Sequence, residues 1–151
     1  MKNDSVIRGF GILNRTFVSF ISKALAGKEL SYSDSIFLVN IGDHEGTTQE
    51  ELAQFLAIDK AAIARSVKNM EAKGYVRTER HPIDKRAKQL YITVSGKELY
   101  QYMQDLNRQW IDQVMGGLPP DDVKTFNRIV DHISNRAKEF IQAPALEQQE
   151  Q

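Results

Sequence analysis

Between Thr48 and Ile92 the apolar period changes once, and that change constrains the fold more than any other feature. Thr48-Gln49-Glu50-Glu51 is a capping-box pattern, in which the Thr side chain takes the N3 amide and Glu51 reaches back to the cap. It opens a short helix expected to bury Leu52, Phe55 and Leu56. Ala57-Ile58 makes a tight turn, and Asp59 caps another helix with Ile63, Val67 and Met70 on its apolar side. Gly74 stops that helix. Tyr75–Arg80 and Gln89–Ile92 then alternate with a period of two and are rich in β-formers. His81–Arg86 between them predicts a hairpin with a long, exposed, basic tip.

Helix, short turn, helix and β-hairpin make a winged helix-turn-helix, in a chain that is otherwise mainly α. An amphipathic helix is expected over residues 6–25, with Val6, Phe10, Leu13, Phe17, Phe20, Ile21 and Ala24 spaced by threes and fours. Ser31 or Ser33 caps a second helix to about His44. Thr93 caps a helix carrying Leu99, Met103, Leu106, Trp110 and Val114. After Pro119-Pro120, a last helix carries Val123, Phe126, Val130, Ile133, Ala137 and Ile141. A small winged helix cannot bury the apolar faces at both ends. The economical expectation is that the flanking helices form a dimerisation layer with a second subunit; a monomer with an extra helical lobe is the alternative. The expected division is 6–30 and 97–142 for dimerisation, 31–96 for the winged helix, and 143–151 as a flexible tail.

The net charge is zero, but it is unevenly spread. Residues 60–90 hold nine basic and three acidic side chains, a focused positive patch suited to a polyanion. With Ile63, Val67 and Met70 committed to the core, Lys60, Ala61, Ala62, Arg65, Ser66 and Asn69 are expected to face outward. A reading helix needs such side chains near its N-terminus. Arg65 suits a bidentate contact to guanine, and Asn69 suits adenine or a phosphate. An alanine methyl of Ala61 or Ala62 can touch a thymine methyl. Lys60 and Lys68 suit phosphates, as do the Thr47 and Thr48 hydroxyls with the helix amides beside them. At the wing tip, Lys85 adds charge, Arg86 can enter a narrow minor groove, and Asp84 braces Arg86 or the turn.

Other chemistries find little support. With no cysteine there is no disulfide, thiolate zinc site or thiol redox sensor. No nucleophile elbow, P-loop or dinucleotide fingerprint is present, and the carboxylate pairs fall at helix N-termini. His44, His81 and His132 lie in three different elements; a meeting of His44 with His132 at a metal has nothing in the sequence behind it. No enzyme activity, cofactor or metal is expected. The sequence has neither an apolar run of membrane-spanning length nor the apolar stretch of a signal peptide, so a cytoplasmic protein is expected, with no membrane partner.

The stretch from Leu52 through Gly96 resembles the MarR family of bacterial transcriptional regulators. The likeness rests on Ile58–Val76 and on the wing Asp84-Lys85-Arg86-Ala87, followed by Ile92-Thr93 and Gly96. It implies a homodimer whose first, fifth and sixth helices form the dimer layer. It also implies a pseudo-palindromic double-stranded operator, most often repressed. By position, Arg65 and Arg86 match the family's DNA-contacting arginines, and Asp84 its wing acid. The family further implies a small anionic or phenolic effector held between dimer layer and winged helix, where Arg15, Phe17, Ser35 and Val39 would lie. A salt bridge to the other subunit is an equal role for Arg15. The alternative to a sequence-specific regulator is a winged helix used for protein contact or non-specific DNA binding.

Overall fold

A computed structural model describes residues 3–143. Helix α1 spans Asn3–Leu25 and is followed by a 3-10 turn at Ala26–Lys28. Then come α2 (Tyr32–Asp43), α3 (Gln49–Leu56), α4 (Lys60–Ala72), β1 (Val76–Arg80), β2 (Lys88–Ile92), α5 (Val94–Val114) and α6 (Pro120–Gln142). The expected tail, 143–151, lies outside the described residues apart from Ala143.

The caps explain where the helices start. Ser31 caps α2 and Thr48 caps α3, each in a complete capping box with Asp34 or Glu51 at the third position. Asp59 accepts from the Ala62 amide at the start of α4. The α3–α4 turn is set by Ala57, whose φ of 52° is left-handed, with the Ile58 amide donating to Ala53 O.

β1 and β2 pair antiparallel, with Val76 opposite Ile92 and Arg80 opposite Lys88. A third piece of chain joins them. Leu90 N donates to Thr47 O and Gly46 N to Leu90 O, both at 2.8 Å, and Thr48 bridges Gln89. The hairpin is locked to α5 by Thr93, whose hydroxyl donates to Gly74 O at 2.5 Å and accepts from the Gly96 amide at 3.0 Å. A Cβ at Gly96 would collide with the Tyr75 carbonyl oxygen, so only glycine fits there.

One core runs through this part of the chain. Ile21 and Leu25 of α1, Phe37, Leu38 and Ile41 of α2, Leu52, Ile63, Val67, Met70, Leu90, and Leu99, Met103 and Leu106 of α5 are buried in one cluster. The expected divisions at 30/31 and 96/97 therefore fall inside continuous packing. Residues up to Trp110 make one compact unit, and those from Ile111 another. Within the first unit, Ile7, Phe10 and Leu13 of α1 are exposed; within the second, no residue of α6 is buried and Phe126, Ile129, Val130 and Ile133 are exposed. Phe55 corrects its expectation: it is 52% exposed, its ring against His44, while Leu52 alone anchors α3 deeply. An eight-residue helix has two turns and one narrow buried face, and Phe55 lies off it.

Candidate nucleic-acid interface

Helix α4 buries Ile63, Val67 and Met70 and leaves Lys60, Ala61, Arg65 and Lys68 exposed. Three other expected outward residues are partly or wholly buried. Ser66 is only 8% exposed, on the same side as Val67. Asn69 is half-buried, and its Nδ2 donates to Asp34 Oδ2 of α2 at 3.1 Å. Ala62 is half-buried too.

The wing comes up beside the start of α4. Thr48, Gln49, Glu50, Lys60, Asp84, Arg86 and Lys88 line a cleft of about 500 Å³ between α3, α4 and the hairpin tip. Three cations and two acids face this opening. Four expected site residues meet there: Thr48, Lys60, Asp84 and Arg86. Gln49 and Lys88 join them unforeseen; the alternation of β2 was the one signal that could have placed Lys88 on the outer face.

The Thr47 and Thr48 hydroxyls are already in use. Thr47 Oγ1 donates to Glu51 Oε2 at 3.1 Å, Thr48 Oγ1 accepts from Glu51 N, and Glu51 Oε2 accepts from Thr48 N at 2.8 Å. That amide bond does most to hold the Glu51 carboxyl below its ordinary value; burial opposes it, and the two hydroxyls add to it.

At the tip, Asp84 braces the turn. Its Oδ1 accepts from the Arg86 amide at 3.0 Å and its carbonyl from the Ala87 amide at 3.0 Å. His81 Nδ1 accepts from the Ile83 and Asp84 amides at 3.2 and 3.0 Å. Histidine here does what an Asx side chain does at a turn. Lys85 and Arg86 are left exposed by this arrangement. Arg77, by contrast, lies over the Tyr91 ring and pairs with Glu79, so part of the basic patch is spent within the hairpin.

Of the expected effector residues, Phe17, Ser35 and Val39 line one small cavity of about 130 Å³ with Tyr32, Met103 and Asn107 among its other walls. Arg15 does not join them: it is exposed on α1, its guanidinium folded back along the helix at Gly11. No charged side chain lines this cavity. Asn107 Oδ1 is buried without a hydrogen-bond partner among the described residues. Burial raises the Tyr32 hydroxyl above its ordinary value. Among the described residues no group of three His, Cys, Asp or Glu could hold a metal, and no helix is long and apolar enough to cross a membrane.

A sequence profile of the MarR family matches residues 29–87, from the chain before α2 to the wing tip. The chain thus carries a MarR-like winged-helix segment. It is 29% identical to the HTH-type transcriptional regulator BilQ of Clostridium symbiosum over 113 residues, 75% of this chain and 78% of that one. It is 22% identical to the uncharacterized HTH-type transcriptional regulator YybA of Bacillus subtilis, over 86% of this chain and 87% of that one. Among solved structures, a putative MarR family transcriptional regulator from Listeria monocytogenes complexed with 26mer DNA has a TM-score of 0.86 at 23% identity, covering 92% and 91% of the two chains. The fold is thus that of the MarR winged helix, and the relatives it resembles are named as transcriptional regulators.

Proposed function

We propose that this protein is a MarR-family regulator that binds a pseudo-palindromic DNA operator as a homodimer and represses transcription until a small effector releases it. The observation that carries the reading is the exposed set Lys60, Arg65 and Lys68 on α4 together with Arg86 at the tip of the adjoining wing. A reading helix and a cationic wing are what major-groove and minor-groove contacts need. The DNA in the Listeria relative's structure supports the same use of this fold. Thr47, Thr48, Ala61, Ala62, Asp84 and Lys85 complete the contact set, as phosphate, methyl or turn residues. A chromosomal target places the protein in the cytoplasm.

The apolar side chains left exposed on α1 and on α6 support self-association. Two subunits would then present α4 helices about 34–36 Å apart, to enter successive major grooves. For the effector, the uncharged cavity at Phe17, Ser35 and Val39 favours the phenolic over the anionic class, since Asn107 Oδ1 can accept from a hydroxyl and Arg15 stands outside. A ligand changes DNA affinity only by its differential affinity for two dimer geometries.

The test is selection from a random duplex pool at physiological salt, with wild type and an Arg65→Ala, Arg86→Ala double variant. The expected result is a pseudo-palindromic motif, half-sites about one helical turn apart, lost in the variant. Arg65→Ala alone should cost about 1–3 kcal/mol and relax preference at one base position, whereas Lys68→Ala should weaken all sequences alike and flatten the salt dependence. Enrichment indifferent to both arginines would favour a winged helix that contacts protein or binds DNA without sequence preference.

A further inference from the structure

Helix α4 is fastened to the chain around the start of α2 by polar contacts as well as by packing. Asp34 is 5% exposed at the third position of α2. Its Oδ2 accepts from the Ser31 amide at 3.0 Å and from Asn69 Nδ2 at 3.1 Å. Ser31 Oγ in turn accepts from the Asp34 amide at 3.0 Å. The carboxylate is therefore held by the cap of α2, and its position is that of the helix itself. One turn beyond Asn69, Lys73 Nζ donates to Glu29 O at 2.7 Å and lies 3.6 Å from the Glu29 carboxylate.

Arg65, Asn69 and Lys73 are spaced by four and make one ridge along α4. Two members of the ridge are bonded to residues 29–34, and the third, Arg65, is exposed. Apolar packing of Ile63, Val67 and Met70 is non-directional and tolerates some roll of the helix about its axis. A hydrogen bond is directional and does not. The roll of α4, and so the direction of Arg65, is set by the bond from Asn69 to Asp34.

We propose that Asp34 and Asn69 are a positioning pair for DNA reading, and that Asn69 reads no base itself. This rests on the reading of α4 as the helix that enters the groove. The contact also gives Asp34, a buried carboxylate outside every expected site residue, a role.

The experiment uses the duplex that wild type enriches from a random pool. Affinity and base-by-base preference are measured for Asn69→Asp, Asp34→Asn and the double exchange, well below the melting temperature of each variant. Asn69→Asp sets two carboxylates against each other and should lower affinity about tenfold or more, spread over the half-site. The double exchange again sets one amide donor against one carboxylate, with the two roles reversed between α2 and α4. It should return affinity to within about threefold of wild type. If Asn69→Asp does not fold, Asn69→Ala serves, with the same spread loss at a smaller size. Relaxed preference at a single base position, unrescued by the exchange, would overturn the pair in favour of a base contact. Melting temperatures that fall and recover while the folded protein's affinity stays constant would also overturn it, leaving a purely structural bond. Wild type that enriches no duplex overturns the DNA reading and the pair with it; a wild-type motif without rescue overturns the pair alone.

Discussion

The winged helix and the long helix α6 finish their surfaces in opposite ways. In the winged helix most apolar side chains are buried, with Phe55 and Ile83 among the exceptions, and several polar groups are tied locally: Glu51 to its cap, Asp84 and His81 to the tip turn, Arg77 to Tyr91. Its surface is finished within one chain. Helix α6 has strong amphipathic spacing yet buries nothing, and Phe126, Ile129, Val130 and Ile133 stay exposed. The lesson is that charge patterning and apolar patterning answer different questions. The first marks what the folded unit can meet from outside; the second marks an apolar face that its own unit leaves uncovered.

The strongest way to break this comparison is a charge on the unfinished face. Ile133→Asp should weaken self-association on the order of a hundredfold, seen in sedimentation velocity as a shift toward monomer, and operator binding should fall with it. Unchanged sedimentation would show that α6 is not a subunit contact. On the finished side, Gly96→Ala forces a methyl against the Tyr75 carbonyl and should cost about 1–3 kcal/mol, read as a lower melting temperature at unchanged oligomeric state. Thr48→Ala removes a cap acceptor and should cost about 1 kcal/mol in the same melt. The smallest effect concerns acid. Because the Glu51 carboxyl is held below its ordinary value of 4.5, its stabilising contribution is complete above that pH and is lost as pH falls through the lowered value. The stability gap between wild type and Glu51→Gln should therefore shrink in acid and stay constant between pH 6 and 8; a gap that widened in acid would contradict the bonding seen at the cap.

Local chemistry was legible in the sequence because its partners are near in the chain. Ser31, Thr48 and Asp59 cap what they were expected to cap, and the hairpin pairs as its alternation requires. Ile63, Val67 and Met70 are buried at helical spacing. Long-range facts were not legible. Asn69 looked outward by periodicity, but its partner, Asp34, sits on another helix. The same is true of Thr47 and Thr48, which border the hairpin as a third strand piece. Ser66 shares the buried side of α4, yet serine gives no apolar signal. Phe55 failed for the reverse reason: hydrophobicity alone does not say which side of a two-turn helix lacks a neighbour. Arg15 was placed at a ligand by its rarity on an apolar helix, and the structure turns it along that helix instead.

Ala57 has a consequence for motion. A side-chain-bearing residue held at a φ of 52° occupies a narrow well, costing roughly 1–2 kcal/mol, where glycine would range widely. The joint between α3 and α4 is therefore a stiff elbow. With Asn69 and Lys73 bonded to Asp34 and Glu29 on its other side, α4 has no hinge of its own. Any rearrangement that moves it must carry α2, α3 and α4 together, as one rigid lever.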